Sequence, residues 1–482
     1  MKKFSEITAA QFATMAWPGT GQTLHVDPNG SDTKAATGKA VAFLTLTAAK
    51  TAAVSGDTIV VHPGTYAEHN LLKTGVNWFF MAGASINYTN TDLTSGNARG
   101  IWDDRDTGAV TCQIGGFGKF YFNAGVAAYN GIGGDTPGPA TLLGGIVIQN
   151  AASDLSICCE EVRIRSYFSS PQYVYAVYVK ACSRFTIVAR KIYEDATDFA
   201  NFQEIDPGDP TTVNSNASGI YWENGEMNVT AEVIKASRYC IWGSRSAAST
   251  ATNLWVTCNL IENYGSESAL YLDSVAGGSA TWKSWVSAKE IKGGAQAVAG
   301  ASYYAGGKHY LTVNKVSSTI GTGITCAATA ASELWITAQK VTGATIGLSL
   351  AAGNVTTVYA DIQQIEDLAA MTSGVNVVAG TLRLTNTWIK VLNGKGIVHS
   401  GGATRILNCT IDTSNTDLAA NTGANATAAG LVLGGCTLKV GATSGVSVGA
   451  GGTTVKCFPT CFSNKAATAT IQGTLTIDAN VT

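Results

Sequence analysis

A short apolar strand introduced by a small residue returns eleven times from Gly145 onward, and this repetition constrains the fold more than any single motif. The starts read GIVIQ at Gly145, AVYVK at Ala176, GIYWE at Gly219, CIWGS at Cys240, ALYLD at Ala269 and AVAGA at Ala297. They continue as GITCA at Gly323, GLSLA at Gly347, GVNVV at Gly374, GIVHS at Gly396 and GLVLG at Gly430. The intervals between residues 145 and 430 average about 28 residues. Most repeats hold a second strand with apolar residues at its first, third and sixth positions: Ile187, Ala189 and Ile192; Val256, Cys258 and Ile261; Val286, Ala288 and Ile291; Leu311, Val313 and Val316; Ile336, Ala338 and Val341. Two or three short strands per turn, alternating with period two and lacking helical i, i+4 spacing, predict a parallel β-solenoid. One coil cannot bury its inner face, so coils stack at the strand spacing of about 4.8 Å and share a core.

Composition agrees with this reading and narrows the partners. A chain of 482 residues is long for one globular core, whereas a repeat array grows by stacking. Only 13% of residues are charged, against about 25% in an ordinary soluble domain, while glycines number 54 and prolines 9. The 31 basic and 33 acidic residues leave no electrostatic footprint for nucleic acid or an anionic membrane, so neither is expected as a partner. No stretch is long and apolar enough to span a bilayer. The start MKKFSEITAAQFATMAW is interrupted by Ser5, Glu6, Thr8 and Gln11 and does not read as a signal peptide. The cysteines number 11 without paired spacing, and Cys159, Cys258 and Cys326 fall where strand cores belong. They read as buried thiols of a protein folded in a reducing cytoplasm. CFPTC, Cys457 to Cys461, has no second Cys or His pair nearby, so no metal or other cofactor is expected.

The N-terminal third carries a longer signature, HVDPNGSDTKAATGKAVAFLTLTAAKTAAVSGDTIVVHPGTYAEH, over residues 25–69. Its marks are Val26, Pro28, Gly30 and Asp32, an Ala/Thr/Leu-rich stretch from Phe43 to Ala53, then Gly56, Asp57, Thr58, Ile59, Val61, Pro63, Gly64, Thr65 and Tyr66. The stretch resembles the opening of right-handed parallel β-helix proteins of the pectate-lyase-like superfamily, departing from it where VAFLTL stands for the usual PF-T-I. The resemblance implies an all-β, right-handed parallel β-helix with an N-terminal cap, the Phe43–Ala53 stretch forming a short helix over the solenoid end. It is specific for fold rather than activity, since such proteins include polysaccharide lyases and hydrolases, adhesins, and phage tailspikes or fibres. The expected organisation is an N-terminal segment 1–24, a cap with first coils 25–144, a regular β-helix 145–440, and a small C-terminal β segment 441–482.

One outward position repeats an aromatic. In WITAQKV the inward set is Ile336, Ala338 and Val341, so Trp335 points out by alternation. The same slot holds Trp255, Trp285, Tyr310, Trp335 and Tyr359 on successive coils, preceded by Ser156, Thr186 and Asn228 and followed by Thr381. An outward ladder of large rings is read three ways: as a subunit interface or the seat of a covering loop, as strand stacking, or as a carbohydrate-binding strip along the axis.

The catalytic candidates are carboxylates. Four residues past the repeat start lie Glu223, Ser244 and Asp273 on three coils, which would put Glu223 and Asp273 roughly 9 to 10 Å apart, near the upper limit for inverting glycoside hydrolysis. Beside them the insertion 194–216 carries Glu194, Asp195, Asp198, Glu204, Asp206 and Asp209, and insertions on solenoids often build the functional face. WDDRD, Trp102 to Asp106, has the composition of a lyase site, with adjacent carboxylates for Ca²⁺ and a basic residue. Solvated surface acids are the competing reading for all of these.

From about residue 441 the tail is rich in small residues and nearly uncharged, and an uncovered solenoid end is a sticky edge. A tail that pairs with its copies in a trimer resembles the ends of phage fibres and spikes. The expectation is therefore a bacteriophage virion appendage, like a tail spike or fibre, made in the host cytoplasm and homotrimeric. It would meet other virion proteins and recognise a host surface glycan. The alternatives are a glycan-depolymerising spike acting as a glycoside hydrolase and a secreted or cell-surface bacterial polysaccharide lyase.

Overall fold

An alternating apolar strand hides its inner side only when another strand stacks on it, and this chain does so at each repeat. The structure, a computed structural model, describes residues 21–38, 41–90, 99–124, 143–166, 174–195, 217–244, 252–265, 267–273, 282–293, 299–304, 306–328, 331–353, 356–367, 371–392, 394–413, 418–420, 431–440, 446–448, 455–463 and 471–477. Nearly all the regular structure among them is strand paired in parallel, and the fold is a parallel β-helix. The chain forms two compact units, residues 1–243 with 250–259, and residues 244–249 with 260–482.

In the first unit Thr23–Val26 pairs with Thr58–Val61, and Asn77–Phe80, Thr111–Gly116, Asp154–Ser166, Arg184–Glu194 and Glu226–Ala236 follow rung by rung. A second sheet stacks Trp102–Asp103, Leu143–Ile148, Val174–Val179, Ala217–Trp222 and Ile241–Gly243. Between the sheets Trp78, Phe80, Trp102 and Phe120 meet edge to face, with ring centroids 5.1 to 6.0 Å apart. The expected helix is Leu46–Ala52. Thr45 caps it by accepting the Ala48 N–H at 3.2 Å, and Leu46 and Ala49 are buried beside the first two strands.

In the second unit the long strands Trp282–Gly293, Gly307–Ser318, Ser332–Gly343 and Thr357–Asp367 pair in register. Alternation slips by one residue at a corner in each, so that Leu311, Val313 and Val316 all reach the core, as do Ile336, Ala338 and Val341. In later coils the strand breaks at that corner into Thr381–Thr385 and Trp388–Val391, then Ala403–Leu407 and Thr410–Thr413, then Leu431–Gly434 and Thr437–Val440. Asn386 and Asn408, each at φ 54°, and Gly435 at φ 62° occupy the breaks, where a left-handed residue turns the chain. The last described strands, Val455–Ser463 and Ile471–Ile477, continue the same parallel stack.

The small residue at each repeat start is a packing requirement. Gly323, Gly347 and Gly374 stack on successive rungs, and a β-carbon on Gly347 would come within 2.4 Å of Ile365 Cγ2 and 2.7 Å of the Gly374 carbonyl oxygen. Register moves two expected starts: Gly300, rather than Ala297, stacks on Gly323, because Ala301 pairs with Ile324. GLVLG at Gly430 forms Leu431–Gly434 in the other sheet, where it pairs with Ala403–Leu407, while Leu418–Ala420 follows Lys395–His399 in the sheet of the repeat starts. AVAGA offers several small residues in a row, and alternation alone cannot choose among them. The 11 cysteines are all buried and free. No described helix is long and apolar enough to cross a membrane.

Candidate functional site

The aromatic slot forms a continuous row in the second unit. Trp285 pairs with Tyr310, Tyr310 with Trp335 and Trp335 with Tyr359. Their ring centroids are 5.6, 4.8 and 5.3 Å apart, with interplanar angles of 3°, 10° and 10°. The strand spacing sets this geometry, since rings carried at the same position of parallel strands about 4.8 Å apart fall face to face. Tyr310 and Trp335 have both faces covered by neighbours, so the row offers a ligand its ring edges. Trp255, on Thr252–Asn263, belongs to the first unit and is half-buried there.

The register corrects the residue that follows the row. Tyr359 pairs with Arg383, and the expected Thr381 pairs with Thr357. The slip arises because Leu382, the first apolar residue of its strand, stacks on Val358 and so occupies an earlier rung position than Ile336 does in its own coil. Arg383 places its guanidinium carbon 5.3 Å from the Tyr359 ring centroid, and Arg405 occupies the next rung.

Glu223 and Asp273 fall in different units. Glu223 is 8% exposed and accepts the Tyr221 hydroxyl at 3.1 Å. Asp273 is half-buried and accepts the Tyr271 hydroxyl at 3.3 Å. Each carboxylate is thus held by the tyrosine two residues before it. Burial, with the Glu223 charge as a second cause, raises the Tyr178 phenol above its ordinary range.

The acids of WDDRD are each engaged by structural partners. Asp103 is fully buried and holds the Gly100 N–H at 2.9 Å and the Arg105 guanidinium, with Nη2 at 2.5 Å. Asp104 accepts the N–H groups of Gln149 and Asn150 and the Ser153 hydroxyl, at 2.8, 3.0 and 2.9 Å. Burial nonetheless pushes its carboxyl above the ordinary range. Asp106 is paired with Arg99 through Nε and Nη2 at 2.6 and 2.7 Å, and that hydrogen-bonded guanidinium holds its carboxyl low. Among the described residues, no group of three or more His, Cys, Asp or Glu side chains is placed to hold a metal. In the acidic insertion, Glu194 is buried and accepts the Ser237 N–H at 2.9 Å, and Asp195 receives Arg165 at 2.8 Å and Arg163 at 3.4 Å. Asp198, Glu204, Asp206 and Asp209 lie outside the described residues.

Two groupings in the first unit escaped the sequence reading. Glu161, 6% exposed on an outward position, accepts the hydroxyls of Tyr121 and Tyr193 on one oxygen, both at 3.2 Å, and Arg190 on the other. Arg190 also reaches Glu160 at 2.9 Å, and the Arg163 guanidinium lies 4.1 Å from the Tyr121 ring centroid. Burial, with the Glu161 charge as a second cause, pushes the Tyr121 phenol up to about 12. Aligning the inward sets Ile157, Cys159, Val162 and Ile187, Ala189, Ile192 was the available signal, since it sets Glu161 beside Lys191 and Arg163 beside Tyr193. On the other sheet Tyr178, Tyr221 and Trp242 share one outward position, the two tyrosines stacking at 4.7 Å and 6°. Their signal was the third residue of AVYVK, GIYWE and CIWGS.

Against this geometry, no protein-family model, no curated protein and no solved structure matches the chain.

Proposed function

We propose that the protein is a bacteriophage virion appendage of the tailspike or tail-fibre kind, built on a pectate-lyase-like β-helix. In this reading it recognises a host surface polysaccharide through the outer face of its second unit. The observation that carries the reading is the in-register row Trp285, Tyr310, Trp335 and Tyr359, a half-buried strip with a repeat of one ring per coil. Extended strips of tryptophan and tyrosine edges offer apolar area together with N–H and O–H groups, the combination that a hydroxylated polymer needs. Homotrimer assembly is part of the proposal, supported by the exposed Trp388, Leu392, Phe458 and Phe462 of the same unit. Binding rather than turnover is proposed, because Glu223 and Asp273 are each engaged by their own tyrosine.

The test is a panel of immobilised bacterial surface polysaccharides, read with the wild-type protein and with Trp335→Ala, alongside sedimentation velocity of both. Expected are a trimer, retention on at least one polysaccharide, and weaker retention of the variant. Failure to bind any member, or a wild-type monomer, contradicts the proposal. Release of reducing ends or of an unsaturated product absorbing in the ultraviolet would replace it with the hydrolase or lyase reading.

A further inference from the structure

The outward column that carries the aromatic row continues with cations. Tyr359 pairs with Arg383, Arg383 with Arg405, Arg405 with Val432 and Val432 with Lys456. Arg383, Arg405 and Lys456 are exposed. Elsewhere in the second unit, four lysines on the long strands have acidic partners, while Lys283 and Lys289 form no ion pair among the described residues: Lys292 pairs with Glu262 at 2.7 Å, Lys315 with Glu290 at 2.9 Å, Lys308 with Glu333 at 3.1 Å, and Lys340 with Glu366. Arg383 and Arg405 have no carboxylate within ion-pair distance among the described residues. Asp361, the nearest acid by register, pairs its backbone with Thr385 and makes no ion pair with either arginine. Two like charges directly opposite each other on neighbouring strands are destabilising, and no counter-charge in the described chain relieves them. Such an arrangement is the kind of local conflict that functional sites tolerate.

We infer that Arg383 and Arg405, with the aromatic row leading to them, form a subsite for the carboxylate groups of an acidic polysaccharide. The inference rests on the polysaccharide-binding reading above and specifies the polymer's charge. A guanidinium presents a planar fork of donors that matches a carboxylate in two parallel hydrogen bonds. Stacking over the Tyr359 ring steadies the first fork, and the strand spacing of about 4.8 Å sets the second beside it. A polymer lying along the column therefore meets ring edges on four rungs and then two adjacent cationic rungs. Charge complementarity selects the acidic polymer over a neutral one, although the whole chain carries a net charge of −2.

The experiment measures binding of the full-length protein to polygalacturonate, to dextran as the neutral polymer, and to a single-stranded DNA oligonucleotide as the phosphate polymer. The variants are Arg383→Gln, Arg405→Gln and the double substitution. Expected is binding to polygalacturonate well above that to dextran or DNA. Each single change should weaken it by about tenfold, and the pair by more. Both side chains are exposed, so the variants should keep the wild-type unfolding temperature. As a measurement independent of variants, raising salt from about 0.1 M to 1 M should weaken wild-type binding, since the screening length falls from about 10 Å to about 3 Å. Equal binding to dextran, tighter binding to DNA, or unchanged affinity in the double variant overturns the inference. If neutral polysaccharides bind through Trp335 while the arginines are silent, the inference fails and the binding function stands. If no polymer binds, both fall.

Discussion

Two outward groupings on the long strands, one in each unit, carry opposite kinds of chemistry. In the first unit the outward groups satisfy one another: Glu161 takes two phenol hydroxyls and Arg190, and Asp195 takes Arg163 and Arg165. In the second, four rings stack and the column then runs into two arginines with no acidic partner among the described residues. Both faces are built on the same parallel rungs, so the backbone does not explain the difference. A closed network of charges contributes order to the molecule that contains it, whereas an open one keeps its donors for something outside. By that criterion the cluster around Glu161, although richer in titratable groups, is structural, and the aromatic and arginine column is the functional face.

The contrast can be broken most sharply at Glu161. Replacing it with Ala removes the acceptor of two phenols and of Arg190, and should destabilise the protein by about 3 kcal/mol, measured by denaturant unfolding, with polymer binding intact. A stable variant that lost binding would reverse the roles of the two faces. Trp335→Ala should cost less, about 1 to 3 kcal/mol, because it removes two stacked contacts from a half-buried ring. Its signature is that stability and binding fall together. Arg383→Gln should leave stability within about 0.5 kcal/mol or raise it slightly, by relieving the like charge of Arg405. A clear loss of stability would mean that Arg383 has a structural partner after all.

A smaller effect concerns acid. Burial holds the His399 imidazole below its ordinary range, with its ring nitrogen 3.2 Å from the Gly402 carbonyl oxygen. A depressed folded value means that this contribution is complete above about pH 6.5 and is lost as pH falls through the folded value. His25 in the first unit has the same sign, from burial and then the charge of His62. Scans between pH 7.5 and pH 5 should therefore show the unfolding temperature falling, and His399→Gln should flatten that fall by about 2 °C. An unaltered slope would mean that His399 does not contribute to the acid sensitivity.

Sequence pattern revealed the inner side of the solenoid well and the outer side unevenly, for a physical reason. Inward residues must be apolar and must recur, so Leu311, Val313, Val316 and their counterparts were readable, and each is buried to 5% exposure or less. Aromatics in the outward slot stood out because they are large and repeated. Arg383 was missed because the first apolar residue of its strand, Leu382, mimics the start of the inward set one rung position early. Glu161 was missed because its partners Tyr121 and Tyr193 are 40 and 32 residues away and are individually ordinary. Only full register brings them together. Tyr221 and Glu223 lie two residues apart, so their contact follows from strand alternation, yet nothing in the residue types says whether such a carboxylate is engaged or free.

Hydroxyl-radical footprinting of the intact protein with and without polygalacturonate, read ring by ring by mass spectrometry, tests directly which outward face meets the polymer. Tyr310, Trp335 and Tyr359 are expected to be protected on addition of the polymer, with Tyr121 and Tyr193 oxidised equally in both states. Protection confined to Tyr121 and Tyr193, or no change at any of the five rings, would contradict that assignment.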